Sequence, residues 1–286
     1  MLRISLQEIF KNKNMMVARY LLIVTIVIVF AECKKEKQIN YPSAPPPPAA
    51  LLKEIVIPHL PSPYYHFEYD ATGNPNFASF ASDFTRYNII YDAGRIHEMR
   101  NDILVNKDRL QYSYDSNGNI TSIDYADSTG AIYTKVDLFY SNGKLIKLER
   151  ARKSGADFVL DKRSTMSYYE DGNLKDITYH YLPFNGQSEA FYTSHFEWYD
   201  NKPNPDWFDL IHNEFFDHFF LLPGVQLQKN NPGREIRTGD GTNYIVDYIY
   251  NYNEKNFPLN KKGSLLMTNG SDAGKRFETN SFYSYY

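Results

Sequence analysis

Aromatic residues alternate with polar ones in short runs along this chain. Tyr112 and Tyr114 lie two apart, as do Tyr248, Tyr250 and Tyr252, and residues two apart share one face of a β-strand. Such runs end in a recurring phrase: an aromatic or aliphatic residue, then Asp, Tyr or Asn, two free positions, a turn residue, and usually Asn, Lys or Arg. Seven copies fall between Tyr69 and Phe257.

The clearest copies are Tyr69-Asp70-Ala71-Thr72-Gly73-Asn74 and Tyr114-Asp115-Ser116-Asn117-Gly118-Asn119, followed by Pro75 and Ile120. Asp suits the first position of a type I turn, where its carboxylate accepts a bond from the backbone two residues on. Gly suits the fourth, where the chain enters the left-handed region. Looser copies keep the glycine at Gly94, Gly143 and Gly172, and two more, beginning Tyr199-Asp200 and Tyr252-Asn253, replace it by Pro203 and Asn256. The spacing makes Asp70, Gly73, Gly94, Asp115, Gly118, Gly143, Gly172, Asp200 and Asn256 structural turn residues, and each copy a strand, a turn and a strand.

Turn residues at 73, 94, 118, 143, 172, 203 and 256 recur about every 25 residues until the last, longer step. That period holds two strands of about eight residues and two turns, the unit of an antiparallel meander. The extra length has its own pattern. Trp207, Ile211, Phe215 and Phe219 recur every four residues, with Asn204 as a candidate cap, Pro205 in the first turn and Pro223-Gly224 as the stop. This predicts a helix near residues 205–222, its apolar side laid on the open end or concave face of the sheet. A long aromatic binding loop is the alternative. The expected fold is therefore mainly β, an antiparallel meander of hairpin repeats forming a twisted or partly closed sheet, with one inserted helix.

The N-terminus bears on location. Lys11, Lys13 and Arg19 precede an apolar run at 21–31, short for a membrane span but suited to the core of a secretory signal. Cys33, the single cysteine, follows directly. Met15 or Met16 would make a more ordinary start than Met1. Residues 34–50, with Lys34, Lys35, Lys37 and the prolines at 45–48, read as a polar and proline-rich linker. Residues 51–286 then form one domain, held without internal disulfides. The chain has 31 Lys and Arg against 34 Asp and Glu, and this balance argues against nucleic-acid binding.

The repeats at Tyr69-Asp70 and Tyr114-Asp115 resemble the YD (RHS) repeat, Tyr-Asp-x-x-Gly followed by a polar and an aliphatic residue. The signal ending in Cys33-Lys34-Lys35, together with Tyr-rich hairpins and the stretches at 199–205 and 229–232, resembles repeat-bearing lipoproteins of Bacteroidota whose function is unknown. The position of Cys33 resembles a lipoprotein signal, which implies residues 1–33 as signal, lipidation of Cys33 and export to the outer membrane. A signal anchor with an incidental cysteine is the alternative. The resemblance is nearly silent on activity.

Catalytic and metal patterns are weak. His212, Glu214 and His218 lack the four-residue histidine spacing of a helical zinc pair. Asp115, Asn117 and Asn119 alternate like calcium ligands, but Ile120 and Ala126 occupy the positions that need Gly and Glu. No triad setting surrounds any Ser. The expectation is a chain without enzymatic activity, cofactor or metal, anchored to a membrane by lipid and acting as a structural or protein-interaction module with an envelope partner. Its 25 Tyr and 2 Trp make a glycan-binding protein the alternative, provided the rings line up exposed on one face.

Overall fold

The computed structural model describes residues 50–103, 108–206, 208–215 and 219–286. Cys33, the leader and the proline-rich linker lie outside the described residues, as do Trp207 and His218. Sixteen strands follow one another: β1 (Leu52–Val56), β2 (Tyr65–Tyr69), β3 (Pro75–Phe80), β4 (Thr85–Asp92), β5 (Arg95–Asn101), β6 (Arg109–Tyr114), β7 (Ile120–Ala126) and β8 (Ile132–Ser141). Then come β9 (Lys144–Ser154), β10 (Asp157–Tyr168), β11 (Leu174–Tyr181), β12 (Ala190–Glu197), β13 (Arg234–Gly239), β14 (Tyr244–Tyr252), β15 (Pro258–Met267) and β16 (Arg276–Tyr285). One helix, α1 (Phe208–Phe215), lies between β12 and β13.

Each strand pairs antiparallel with its neighbours in sequence, and β1 pairs with β16 through Ile55 opposite Tyr283. The sheet is therefore a closed barrel, more than the partly closed sheet the repeats predict. Closure leaves no edge unpaired. Nothing local in either strand announces that pairing, because its partners stand at opposite ends of the domain.

The strand alternation sorts side chains between two surfaces. Most inward-facing partners are apolar or aromatic, such as Phe67 opposite Ala78, Ile89 opposite Met99, Ile123 opposite Val136 and Leu138 opposite Leu148, all buried, beside the buried Arg150–Asp161 ion pair. Outward-facing positions mix charged side chains paired across strands with exposed apolar ones such as Phe139, Phe158, Phe191 and Ile249. Arg163 reaches Glu149 at 2.7 Å, His195 reaches Asp176 at 2.6 Å and Arg234 reaches Asp247 at 2.6 Å. A one-residue slip would exchange the two sets, so this pattern pins the register.

Sixteen strands enclose more room than wall side chains alone fill, and the insertion between β12 and β13 enters that space. Phe208 of α1 packs against Tyr65 and Phe67 on β2, with ring centroids 5.0 and 5.3 Å away. The Leu210 carbonyl accepts a hydrogen bond from Tyr179 on β11 at 2.9 Å. β2 and β11 stand seven strands apart one way round the ring and nine the other, so the helix bridges opposite walls. Beyond it, Phe219 is fully buried, and the Leu221 carbonyl accepts from Tyr112 on β6 at 2.9 Å.

The expected helix is thus corrected in length, while its place is the concave face of the sheet, now the inside of a closed ring. Among the described residues it spans Phe208–Phe215 and lies in the lumen, while 219–228 continue without helix. Asn204 does not adjoin it as a cap. Its side chain bonds Gln228 at 3.0 Å and the Asn230 carbonyl at 3.3 Å, tying the two ends of the insertion together.

Candidate functional site

In an up-and-down barrel alternate turns share one end, so all seven repeat turns form a single rim. Two turn types build it. At Asp70 and Asp115 the Gly73 and Gly118 amides bond back to the aspartate carbonyls at 3.0 and 3.1 Å, with φ of 84° and 89°. The Asp115 carboxylate accepts from the Asn117 and Asn119 amides at 2.9 and 2.8 Å and from the Asn119 side chain, as the sequence predicts. The side-chain bond from Asn119 is the main cause holding this exposed acid below its ordinary pKa. Asn253–Asn256 repeats the turn, Asn256 taking the left-handed place at φ 64°.

The copies at Gly94 and Gly143 differ. Asp92 pairs with Arg95 and Ser141 with Lys144, leaving two-residue loops in which Ala93 and Asn142 as well as the glycines have positive φ. These are type I′ hairpins, whose twist matches that of the strands. At Gly172 the turn keeps the same register, the Gly172 amide bonding back to the Tyr169 carbonyl at 2.9 Å, but Tyr169, not an acid, holds the first position and the Asp171 carboxylate accepts from the Asn173 amide. Asp200 closes no hairpin. It accepts from the Asn231 and Lys202 amides and from the Tyr252 hydroxyl, fastening a two-stranded stem from which the luminal insertion hangs.

Sequence reasoning missed what the tyrosine of each repeat does. Tyr69 donates its hydroxyl to the Leu52 carbonyl at 2.8 Å, Tyr91 to Pro75 at 2.9 Å, Tyr114 to Ile96 at 2.8 Å, Tyr168 to Leu145 at 2.5 Å, Tyr199 to Leu174 at 2.7 Å and Tyr285 to Pro258 at 2.7 Å. Tyr91, Tyr114, Tyr168 and Tyr199 thus clasp the residue that follows the preceding repeat turn, as does Tyr285 from outside the repeats, while Tyr69 reaches the start of β1. The available signal was the aliphatic residue or proline after every turn. Two repeat tyrosines depart from this: Tyr252 donates to the Asp200 carboxylate, and the Tyr140 hydroxyl is buried and bonds no described protein atom. Burial pushes its pKa up to about 12.

Two pockets open inside this rim, on either side of the Pro223–Val225 bend of the insertion. The larger, about 500 Å³, is bounded by Tyr91, Arg95, Ile96, Tyr114, Leu221 and Val225. The smaller, about 200 Å³, is bounded by Ile120, Tyr140, Lys144, Val225, Gln226 and Lys229. The Arg95 guanidinium lies over the Tyr114 ring at 5.4 Å, so the larger pocket is apolar with one cation at its edge. Neither gathers a nucleophile with a base. Among the described residues no cluster of His, Cys, Asp and Glu could hold a metal. His212 is buried beside Tyr65, 3.0 Å from its hydroxyl.

No family model and no curated protein matches this chain. Solved structures do. A porin-like protein from Bacteroides uniformis aligns over 78% of this chain and 89% of its own, at 10% identity and a TM-score of 0.53. A porin-like protein from Bacteroides vulgatus aligns over 82% and 98%, at 12% identity and a TM-score of 0.53. What this chain shares with them is the fold. The outer surface of the described walls mixes ion pairs such as Arg163–Glu149 with exposed apolar side chains such as Phe139, Phe158 and Ile249, and the interior mixes aromatic packing with the buried Arg150–Asp161 pair. Among the described residues no helix is long and apolar enough to cross a membrane.

Proposed function

We propose that this chain is a lipid-anchored envelope protein, held at the outer membrane through Cys33, whose barrel works in water as an interaction module for a second envelope protein. The observation that carries the reading is the set of cross-strand ion pairs on the outer wall combined with the occupied lumen. A wall bearing Arg163, Glu149, His195 and Asp176 would bury charge if placed in hydrocarbon, and each such group there costs several kcal/mol. The lumen is crossed by α1, which contacts β2 and β11. The likeness to porin-like proteins supports a barrel and is consistent with an envelope setting; it does not carry conductance over to this chain. The proposal includes no catalysis. It retains the YD-like lipoprotein resemblance, to which the clasping tyrosines give a structural rationale.

The docking face is the repeat-turn rim, where the larger pocket sets Leu221 and Val225 beside Tyr91 and Tyr114, a setting suited to an apolar side chain of a partner loop. A photo-crosslinking residue at Arg95, compared in cells with one at Lys135 on the wall, tests this. A discrete protein adduct from Arg95 alone is expected; no adduct, or equal adducts from both, removes the reading.

A glycan is the second reading, and Trp198 favours it. Its ring is 62% exposed, its backbone sits at φ 59°, and Arg234 stacks on it at 3.7 Å. The repeat tyrosines weigh against it, because they face the interior in place of forming an exposed row. Loss of retention on immobilised envelope polysaccharide for Trp198→Ala, with no Arg95 adduct, would move the assignment to glycan.

A further inference from the structure

The smaller rim pocket brings two lysine ammonium groups together with one carboxylate, Asp171, in reach of both. The Lys144 ammonium donates to the Gly172 carbonyl at 2.8 Å, and the Lys229 ammonium donates to the Asp171 carbonyl at 2.9 Å. A Cβ built on Gly172 would stand 2.7 Å from each nitrogen, which puts the two within twice that distance of one another. Neither lysine forms an ion pair with a described carboxylate. Asp171, whose charge reaches both, has its oxygens bonded by the Asn173 amide and side chain. The third group is Tyr140, a repeat tyrosine whose hydroxyl bonds no described protein atom, and it lines the same pocket.

Two like charges this close, next to a buried donor, are costly unless something negative joins them. We propose that Lys144, Lys229 and Tyr140 form an oxyanion-binding site that receives a carboxylate or phosphate group at the rim. This rests on the reading of the rim as the docking face, and there the occupant is an acidic side chain of the partner protein, its apolar neighbour lying toward Leu221 and Val225. Electrostatics support the geometry: burial first, and Lys229 second, hold the Lys144 amine below the ordinary lysine range. A bound oxyanion would reverse that shift and leave the amine less nucleophilic.

The test is lysine acetylation of the full chain in detergent, followed residue by residue by mass spectrometry. The additions are acetyl-Leu-Glu-amide, inorganic phosphate, or chloride at matched ionic strength, with exposed Lys262 as the internal control. Slower acetylation of Lys144 and Lys229, but not of Lys262, with dipeptide or phosphate and not with chloride is expected. Protection by the dipeptide alone assigns the group to a protein carboxylate, while protection by both assigns a general oxyanion site. Tyr140→Phe, which breaks no bond within the protein, should weaken protection about tenfold, as loss of one hydrogen bond to a charged group does. Equal protection by chloride, or none by either anion, overturns the site even if the Arg95 adduct forms. Protection without that adduct would retain the site and reject the docking reading.

Discussion

Tyr114 donates its hydroxyl to the carbonyl of Ile96, eighteen positions earlier, at 2.8 Å. That bond joins one repeat to the next at the rim, beyond the last ladder pair of β5 and β6, Glu98 opposite Gln111. Tyr114→Phe leaves the carbonyl without its donor and should lower stability by about 0.5–1.5 kcal/mol. Tyr140→Phe removes a hydroxyl with no bond to lose, so its denaturant midpoint should equal or exceed that of the parent. Equal losses for the two would mean that the clasp contributes nothing measurable.

Gly118 stands at φ 89°, and a Cβ there would lie 3.2 Å from the Arg95 guanidinium. Gly118→Val should cost about 1–2 kcal/mol through the left-handed backbone alone, and Gly118→Asn less. Asn256→Gly should be close to neutral because glycine accepts the same conformation freely. Thermal melts of the three variants rank them.

Phe219 is fully buried between α1 and β2, its ring 5.7 Å from Phe208 and 5.9 Å from Phe67. Phe219→Ala should destabilise by about 3–5 kcal/mol, as core truncations of this size do. If the insertion were a detachable binding loop, the urea midpoint would stay where it was.

Acid should loosen the rim. Asp70 is held below the ordinary carboxylate range chiefly by the Thr72 side chain, Asp115 by the Asn119 side chain and Asp171 by the Asn173 amide. A depressed folded pKa contributes stability that is present above the unfolded value, near pH 4, and is lost as pH falls through the folded values. Asp115→Asn should therefore show a shallower loss below about pH 4 in chemical denaturation, with little change at neutral pH. An unaltered acid limb would mean that this carboxylate is not linked to folding.

The hairpins were legible because both of their signals are local. Period-two alternation marks the strand faces, and the Asp115 to Gly118 interval marks the turn. The two-residue loops were legible in principle: Asp92 and Gly94 are two apart where Asp115 and Gly118 are three apart, and that difference separates a type I′ turn from a type I turn with its bulge. Asp127 to Gly130 makes the same three-apart turn on the opposite rim, its carboxylate bonded by the Thr129 and Ala131 amides. It lacks the preceding tyrosine, so the aromatic residue and not the aspartate tells the two ends apart. Closure was not legible, since Ile55 and Tyr283 carry no mark of each other. The luminal place of α1 depended on the same fact: an apolar stripe says that a helix is covered, and only the ring says by what. The charged pair Lys144 and Lys229 was hidden too, being assembled from two turns far apart in the chain.

The stem at Asp200 and Asn231 has a consequence for how the molecule comes together. The insertion touches β2, β6 and β11, walls that face one another only after the sheet has curled. A ring already shut by β1 and β16 would leave the aromatic segment no wide entry, so the sheet must wrap around it, much as a cask is raised around a former. Until β16 takes its place, β1 and β15 each present an unpaired edge. The stretch of time between seating the aromatic segment and shutting that seam is when this chain is most open to proteases and to its own copies.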